Sequence, residues 1–180
     1  GVNTWKSTDG GNTWNINNHW SSTCSGSATN VHADKHFFAY QPSSGDLYEC
    51  NDGGLYKTSN AGNTWQHLGS GLVTSQIYRM GVAQTADDEI IIGLQDNGTK
   101  LYSGNNWSDK HGGDGMECLI DYTNENIQYC ETQNGNKLMR TTNHWGSKSD
   151  IKPEDSEGAW ETPFIIDPVD PQTLYAGYQH

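Results

Sequence analysis

The chain has 180 residues, which suits one domain or two, and its 10 basic and 22 acidic residues give a formal net charge of −12 at pH 7. This charge disfavours nucleic acids and anionic membrane surfaces as partners, because both are bound through clusters of lysine and arginine. No stretch approaches the ~20 apolar residues of a membrane-spanning helix. The sequence opens without a methionine or a signal peptide, which favours a mature or excised piece of a larger polypeptide.

The composition predicts short strands and many turns. Hydrophobic residues make up only 32% of the chain, yet seven tryptophans, nine tyrosines and 21 glycines are present. Disordered chains are poor in aromatic residues, so we expect a folded protein. No stretch shows apolar residues at helical spacing, and we therefore predict little helix.

The first predicted element is a hairpin whose sequence recurs. Residues 7–14 (STDGGNTW) recur as residues 58–65 (TSNAGNTW), and shortened copies lie at residues 103–107 and 141–145. Glycine supplies the positive φ angles of such turns, and an Asp or Asn side chain accepts hydrogen bonds from backbone N–H groups two residues on. We predict that the closing tryptophan of each copy packs beneath its turn.

Four pairs of short strands form the next predicted elements. The first strands begin at Phe37, Met80, Cys118 and Phe164, and the second strands begin at Leu47, Ile90, Ile127 and Leu174. Three pairs continue through a glycine into a third strand and the repeated hairpin. The fourth pair runs to the end of the sequence, and its missing continuation matches residues 1–17.

The glycines before the third strands, Gly54, Gly98, Gly135 and, after wrap-around, Gly1, are 37 to 53 residues apart. Propeller blades have a period of ~40–50 residues. We predict a single all-β domain over residues 1–180, a β-propeller of four repeats closed by N- and C-terminal strands that share one blade. A partial slice of a larger propeller is the alternative, as are ends that pair between two chains. The predicted blades are approximately 31–68, 77–110, 113–148, and 160–180 together with 1–17.

The repeated hairpin resembles the Asp-box repeat of bacterial neuraminidases. The wider pattern, residues 31–36 and 51–57, is similar to secreted bacterial Asp-box propellers of the glycosyl-hydrolase-like kind, and more distantly to xyloglucanases and the luminal propeller of sortilin. The resemblance implies a ligand site at the axial face, and an Asp-box hairpin on the outer rim of each blade. It implies structural roles for Ser7, Asp9, Gly11, Trp14, Thr58, Asn60, Gly62 and Trp65.

We consider two enzyme classes for the residues of the inner strands, a sialidase and another glycoside hydrolase. A self-contained sialidase is excluded, because it grips a carboxylate with three arginines and this chain has only Arg79 and Arg140. A glycoside hydrolase needs two carboxyl groups ~5–9.5 Å apart. The candidates for such an acid and base are Asp34, Asp114, Glu117 and Glu161.

We favour an extracellular, non-catalytic recognition module that binds a glycan or a protein surface at the axial face. A glycoside hydrolase, or a fragment of one, is the alternative, and a purely structural segment is the third interpretation. Alignment of the inner strands places His36, Arg79 and Glu117 at one level. The candidate ligand-binding residues are His32, His36, Arg79 and Trp160.

A metal site is a further hypothesis. His32, Asp34 and His36 alternate, so an extended strand would present two imidazoles and a carboxylate on one face. Asp52 and Asp96 lie in Asx-Gly turns, whose oxygens suit Ca²⁺, although the spacing is not that of an EF-hand. We predict no definite cofactor and keep Ca²⁺ as the candidate cation.

The four cysteines and the acidic balance favour a secreted or cell-surface protein. Cys118 and Cys130 are each six residues from Asn124, which places them opposite each other, within reach of a disulfide. Cys24 and Cys50 would then form a second pair.

Overall fold

The structure is a computed structural model that describes residues 1–21, 28–72 and 74–179. The chain divides into two compact units, Gly1–Thr74 and Ser75–His180. The described residues form β-strands and one short 3-10 turn at Gln133–Gly135. The prediction of an all-β protein is therefore confirmed. None of the described segments forms a helix of the length and apolar character that a membrane crossing requires.

The first unit contains two sheets. Its strands are β1 (Thr4–Lys6), β2 (Asn15–His19), β3 (Thr29–Asn30), β4 (Lys35–Tyr40), β5 (Leu47–Asn51), β6 (Gly54–Thr58) and β7 (Gln66–His67). In the first sheet, β1 pairs antiparallel with β2, and β2 pairs parallel with β3. Strands β4 to β7 form a four-stranded antiparallel sheet in chain order.

The second unit contains three sheets. Its strands are β8 (Ile77–Val82), β9 (Ile90–Leu94), β10 (Gly98–Ser103), β11 (Asn106–His111), β12 (Gly115–Ile120), β13 (Gln128–Thr132), β14 (Leu138–Thr141), β15 (Ser149–Asp150), β16 (Phe164–Ile166) and β17 (Leu174–Ala176). Strands β8 to β11 and β12 to β15 form two antiparallel sheets with neighbours in chain order, and β16 pairs with β17.

The first hairpin closes in the same way in four of the five sheets, those that begin with β4, β8, β12 and β16. The residue after the first strand donates its N–H to the carbonyl group before the second strand at Gln41, Asp121 and Asp167, each over 2.9 Å, and at Ala83 over 3.1 Å. The four predicted strand pairs are therefore copies of one backbone unit.

The sheets of the second unit pack face to face. Strand β12 lies against β8 and β9, and the buried side chains between these sheets are Ile91, Leu101, Cys118, Ile120, Cys130 and Met139. The backbones approach so closely that a Cβ atom on Gly93 would lie 2.0 Å from the carbonyl oxygen of Met116. Four-stranded antiparallel sheets that stack with their first strands adjacent are the blades of a β-propeller.

The predicted blade shared by the two ends of the chain stays a prediction. Strands β1 and β2 form a sheet with β3, whereas β16 pairs only with β17. The first unit holds its own N-terminal strands, because Thr4 and Asn18 donate hydrogen bonds to the carboxylate of Glu49 in β5. The single-domain assignment and the blade boundaries stay predictions.

Residues 7–14 and 58–65 fold into the same hydrogen-bonded hairpin. Ser7 Oγ accepts the N–H of Gly11 over 2.8 Å, and Asp9 Oδ1 accepts the N–H of Thr13 over 2.9 Å. In the second copy Thr58 Oγ1 accepts the N–H of Gly62 and Asn60 Oδ1 accepts the N–H of Thr64, each over 2.9 Å. Hydrogen bonds, chiefly that from the Thr13 hydroxyl, lower the pKa of Asp9 to about 2.

The copy at residue 141 has the same network in a different alignment from the predicted one. Thr141 Oγ1 accepts the N–H of Trp145 over 2.9 Å, and Asn143 Oδ1 accepts the N–H of Ser147 over 2.8 Å. Trp145 therefore occupies the position of Gly62, with a φ of 66°, and not the position of a closing tryptophan.

The copy at residue 103 is not such a hairpin. Ser103 pairs directly with Asn106, so Gly104 and Asn105 form a two-residue turn with φ angles of 57° and 63°. A turn of this length has no room for the side-chain network of the other three copies.

The predicted burial of Trp14 is also wrong. Its indole N–H donates to the carbonyl oxygen of Gly11 over 3.1 Å, but 58% of the residue is exposed. Gly10 and Gly11 have no side chains that would cover the ring. Trp65 is half-buried, and its indole N–H donates to Asn17 Oδ1 over 3.2 Å.

Candidate functional site

Arg79 on β8 is the centre of a polar cluster in the second unit. Its Nε lies 3.4 Å from Glu117 Oε2, and its Nη2 forms an ion pair with Glu161 Oε1. Its Nη1 donates to the carbonyl oxygen of Tyr78 over 2.9 Å. These contacts fix the guanidinium between two carboxylates, and with Glu131 the three residues form what we term the Arg79 cluster.

The loop before β16 carries Trp160 and Glu161 and is bonded firmly to the preceding sheet. The carbonyl oxygen of Trp160 accepts the N–H of Asn134 over 3.0 Å, and the N–H of Thr162 donates to Glu131 Oε1 over 2.9 Å. Trp160 itself is 49% exposed. The loop therefore holds an exposed indole on the residue before Glu161.

Burial changes the acidity of two carboxyl groups in the Arg79 cluster. Desolvation raises the pKa of Glu117, an effect that Arg79 opposes and Glu161 reinforces. Desolvation also raises the pKa of Glu131 to about 7, and Glu117 and Glu161 act in the same direction. Glu131 is fully buried, and among the described residues its Oε2 has no hydrogen-bond partner.

The predicted catalytic residues have different positions. Glu117 and Glu161 meet at Arg79, as the alignment of the inner strands indicated for Glu117. Asp114 instead supports a loop, because its Oδ1 accepts the N–H of Asp96 over 2.7 Å. Asp34 belongs to the first unit, where it has a φ of 55°. Their catalytic roles stay predictions.

The predicted alternation of His32, Asp34 and His36 on one strand face is wrong. Strand β4 begins only at Lys35, and the left-handed conformation of Asp34 interrupts the extended backbone before it. His36 instead pairs with Asp52 through Nε2 and Oδ1. The metal-binding and ligand-binding roles proposed for these residues stay predictions, as does that of Asp96.

The predicted register of Cys118 and Cys130 is confirmed, because the two residues are directly opposite on β12 and β13. The predicted disulfide between them is absent, since both are free thiols. Cys118 Sγ instead donates to the carbonyl oxygen of Met116 over 3.4 Å, and burial raises the pKa of Cys130 to about 12. Cys50 is also a free thiol, and Cys24 lies outside the described residues.

Glu131 is the member of the cluster that the sequence analysis missed. It lies two residues after Tyr129 on the same strand, and both residues are buried. Alternation places residues i and i+2 on one face, so a longer prediction for this strand would have placed Glu131 on the core side with Tyr129.

Comparison with known proteins finds similar structures but no matching sequence. No family model and no curated protein matches the sequence. The structure is similar to the GH74 enzyme of Niastella koreensis (16% identity, 96% of this chain, 31% of that chain, TM-score 0.48). It is also similar to the GH74 xyloglucanase of Xanthomonas campestris (15% identity, 98% of this chain, 32% of that chain, TM-score 0.46). A third similar structure is YCF48 bound to D1 peptide (12% identity, 98% of this chain, 69% of that chain, TM-score 0.43). The chain spans about a third of the length of the GH74 enzymes.

Proposed function

We propose that this protein is an extracellular, non-catalytic recognition module that binds a glycan at the Arg79 cluster. The observation that carries the proposal is the pairing of Glu117 and Glu161 with one guanidinium, together with the exposure of Trp160, the residue before Glu161. Paired carboxylates keep free lone pairs that accept hydrogen bonds from sugar hydroxyl groups. An exposed indole offers a flat apolar surface for the face of a sugar ring.

The rigidity of the site supports binding. The loop of Trp160 is bonded to Asn134, and Thr162 is bonded to Glu131, so little freedom is lost when a ligand docks. The extracellular location is part of the proposal and rests on the acidic composition, which favours solubility. The related assignment of residues 7–14, 58–65 and 141–148 as Asp-box repeats rests on their shared hydrogen-bond network.

The binding test compares two exposed tryptophans. Trp160→Ala is expected to weaken binding to a neutral oligosaccharide at least tenfold by isothermal titration, with an unchanged melting temperature. Trp20→Ala is the matched control, since Trp20 is 52% exposed but belongs to the first unit. Equal affinities of the Trp160→Ala variant and the unmodified protein would exclude the site, and binding of a protein and no glycan would favour the other partner class.

A glycoside hydrolase is the second candidate function. The raised pKa of Glu117 favours it, because a glycosidase needs one protonated and one ionised carboxyl group. The test is the release of reducing ends from a panel of polysaccharides. Turnover that Glu117→Gln and Glu161→Gln each abolish would establish an enzyme, whereas glycan binding without release supports the recognition module.

A further inference from the structure

Glu131 on β13 is a fully buried carboxyl group with only one of its oxygens bonded. Its Oε1 accepts the N–H of Thr162 over 2.9 Å, whereas its Oε2 has no hydrogen-bond partner among the described residues. A buried carboxylate is tolerated when a cation and several donors compensate for its lost hydration. One amide donor is little compensation, so the surroundings of Glu131 suit the protonated acid better than the anion.

The basic residues around this part of the sheet are engaged with other groups. Arg79 pairs with Glu117 and Glu161, and in the part of the chain that the structure describes Glu131 forms no ion pair. On the side of β14, the other neighbour of β13, Lys137 pairs with Asp150 over 2.8 Å and Arg140 donates to the hydroxyl of Tyr129 over 3.3 Å. The cluster therefore has one more carboxyl group than its guanidinium can pair.

The titratable groups that interact with Glu131 either oppose its ionisation or are themselves neutral. They are Glu117 and Cys118 of β12, Cys130 of β13, Glu161 before β16 and Tyr178 after β17. Burial raises the pKa of Cys130 and that of Tyr178 to about 12, and that of Cys118 well above its ordinary value, so these three groups are uncharged below pH 8. Desolvation, with the charges of Glu117 and Glu161, raises the pKa of Glu131 to about 7.

The loop that carries Trp160 and Glu161 is attached to the sheet at two places. At the first, Gly158 N–H donates to the carbonyl oxygen of Asn134 over 3.3 Å, and the backbones are so close that a Cβ atom on Gly158 would lie 2.8 Å from Gly135 Cα. At the second, the buried N–H of Thr162 donates to Glu131. The side chain of Glu131 is therefore the attachment next to Glu161.

We propose that Glu131 is the positioning residue of the glycan site: its protonated side chain holds the loop of Trp160 and Glu161 on β13, and loss of the proton releases the loop. Glu131 acts on the ligand only through this loop, because the residue itself is fully buried. The inference rests on the proposed function, since the loop carries two residues of that site. It adds control by pH, with a complete site in mildly acidic solution and a weaker site above neutral pH.

The direction of the effect follows from proton binding. An ionised Oε1 would accept a stronger hydrogen bond from Thr162, but the raised pKa of Glu131 means that desolvation and the neighbouring charges outweigh this gain. A hydrated Glu131 in the released loop has the ordinary pKa of 4.5, so the attached loop binds more protons between pH 4.5 and about 7. The equilibrium for release therefore rises with pH, by at most about 70-fold between pH 5 and pH 8.

The first test is amide hydrogen exchange by NMR, which needs no ligand. The protection of the Thr162 amide, relative to an unstructured peptide at the same pH, is expected to fall between about tenfold and about 70-fold from pH 5 to pH 8. In Glu131→Gln the side-chain carbonyl still accepts from Thr162 and carries no charge, so protection is expected to be constant. The exposed Glu154→Gln is the matched control and should follow the unmodified protein.

Ile151 separates release of the loop from unfolding of the sheet, because its N–H donates to the carbonyl oxygen of Leu138 over 2.7 Å beside β14. Local release should let Thr162 exchange faster than Ile151 and without response to about 1 M urea, since little surface is exposed. Constant protection of Thr162 in the unmodified protein would overturn the proposal. Equal rates and equal urea responses of Thr162 and Ile151 would also overturn it, and neither result depends on whether Glu131→Gln folds.

The second test measures the site itself by isothermal titration with maltohexaose and cellohexaose, two neutral hexasaccharides. The unmodified protein and Glu154→Gln are expected to bind at least about threefold more weakly at pH 8 than at pH 5, and Glu131→Gln equally at both. Equal affinities of the unmodified protein at the two pH values would refute the control of the site by Glu131. Binding at neither pH would count against the proposed function, and the exchange of Thr162 would then decide the role of Glu131 alone.

Discussion

Glu49 illustrates at the scale of a single residue how the first unit is held together. It is fully buried, and its Oε1 accepts from Lys35 over 2.8 Å and from Asn51 over 3.0 Å. Its Oε2 accepts from Thr4 over 2.9 Å and from Asn18 over 3.0 Å. Because every donor comes from β1, β2, β4 or β5, one carboxylate joins the two sheets of this unit.

We expect Glu49→Ala to lower the free energy of unfolding by ~3–5 kcal/mol, because it leaves the buried ammonium group of Lys35 without its counter-ion. Urea denaturation followed by tryptophan fluorescence measures the loss. Asp109→Ala is the control: it breaks an exposed pair with Lys100, and such pairs contribute ~0–1 kcal/mol. Similar losses in the two variants would show that Glu49 has no special role.

Glu131 makes stability depend on pH. Its pKa of about 7 in the folded protein exceeds the ordinary value of 4.5, so the folded chain binds more protons than the unfolded chain between these values. The contribution of Glu131 to stability is therefore full below pH 4.5 and is lost as pH rises to about 7. The groups whose charges act on or with Glu131 are Glu117, Glu161 and Tyr178.

We expect Glu131→Gln to flatten this decline, because the amide stays neutral in both states. The unmodified protein should lose about 2.5 kcal/mol more than the variant between pH 5 and pH 8. Urea midpoints at intervals of one pH unit measure the difference. The exposed Glu154→Gln should follow the unmodified protein, and a parallel decline in the Glu131→Gln variant would contradict the assignment.

At the scale of the element, one hairpin geometry is produced by different side chains. Trp145 adopts a φ of 66°, which is unfavourable for a bulky residue, at a position where the other copies have glycine. Its indole N–H donates to Gln128 Oε1 over 2.6 Å, and its ring packs against the buried cluster around Cys118. Packing and a hydrogen bond therefore compensate for the strained backbone.

We expect Trp145→Ala to lower the free energy of unfolding by ~2–4 kcal/mol, because it removes this packing and takes the indole donor away from Gln128 Oε1. Trp14→Ala is the natural comparison, since Trp14 is 58% exposed in the equivalent hairpin of the first unit. Its loss should be no more than about 1 kcal/mol. A larger loss for Trp14 than for Trp145 would contradict the burial of these rings.

The strands and hairpins were predictable because their signals are local. Glycine and Asx residues mark turns, and alternation marks strands, so the first strands and their closing turns could be placed from the sequence. The alignment predicted for the copy at residue 141 was wrong because it took Trp145 as the closing tryptophan of the hairpin. The hydrogen-bond network instead depends on the hydroxyl and amide groups of Thr141, Asn143 and Ser147. Glu49 and Glu131 were missed because the burial of a charge depends on neighbouring sheets.

At the scale of the whole molecule, the internal sequence repeat predicts the strands of each sheet but not how the strands at the two ends of the chain pair. The internal match between residues 1–17 and the other hairpins predicts that β1 and β2 are the second half of a blade. Within the first unit, Thr4 and Asn18 join these strands to β5 through the carboxylate of Glu49. The alignment of the inner strands succeeded at Arg79 and Glu117, because equivalent strands of neighbouring sheets lie side by side.

The net charge of −12 gives the last prediction, which concerns the class of ligand. An acidic protein repels polyanions at long range, and the Arg79 cluster contains three carboxyl groups and one guanidinium, which pairs with two of them. We therefore expect binding to neutral polysaccharides and no binding to polyuronates or sulfated glycans. Affinity electrophoresis at about 0.01 M and about 0.15 M salt separates binding through charge from binding through stacking and hydrogen bonds. Screening by salt weakens charge effects and leaves stacking and hydrogen bonds in place. Tight binding of a polyuronate at low salt would contradict this view of the site.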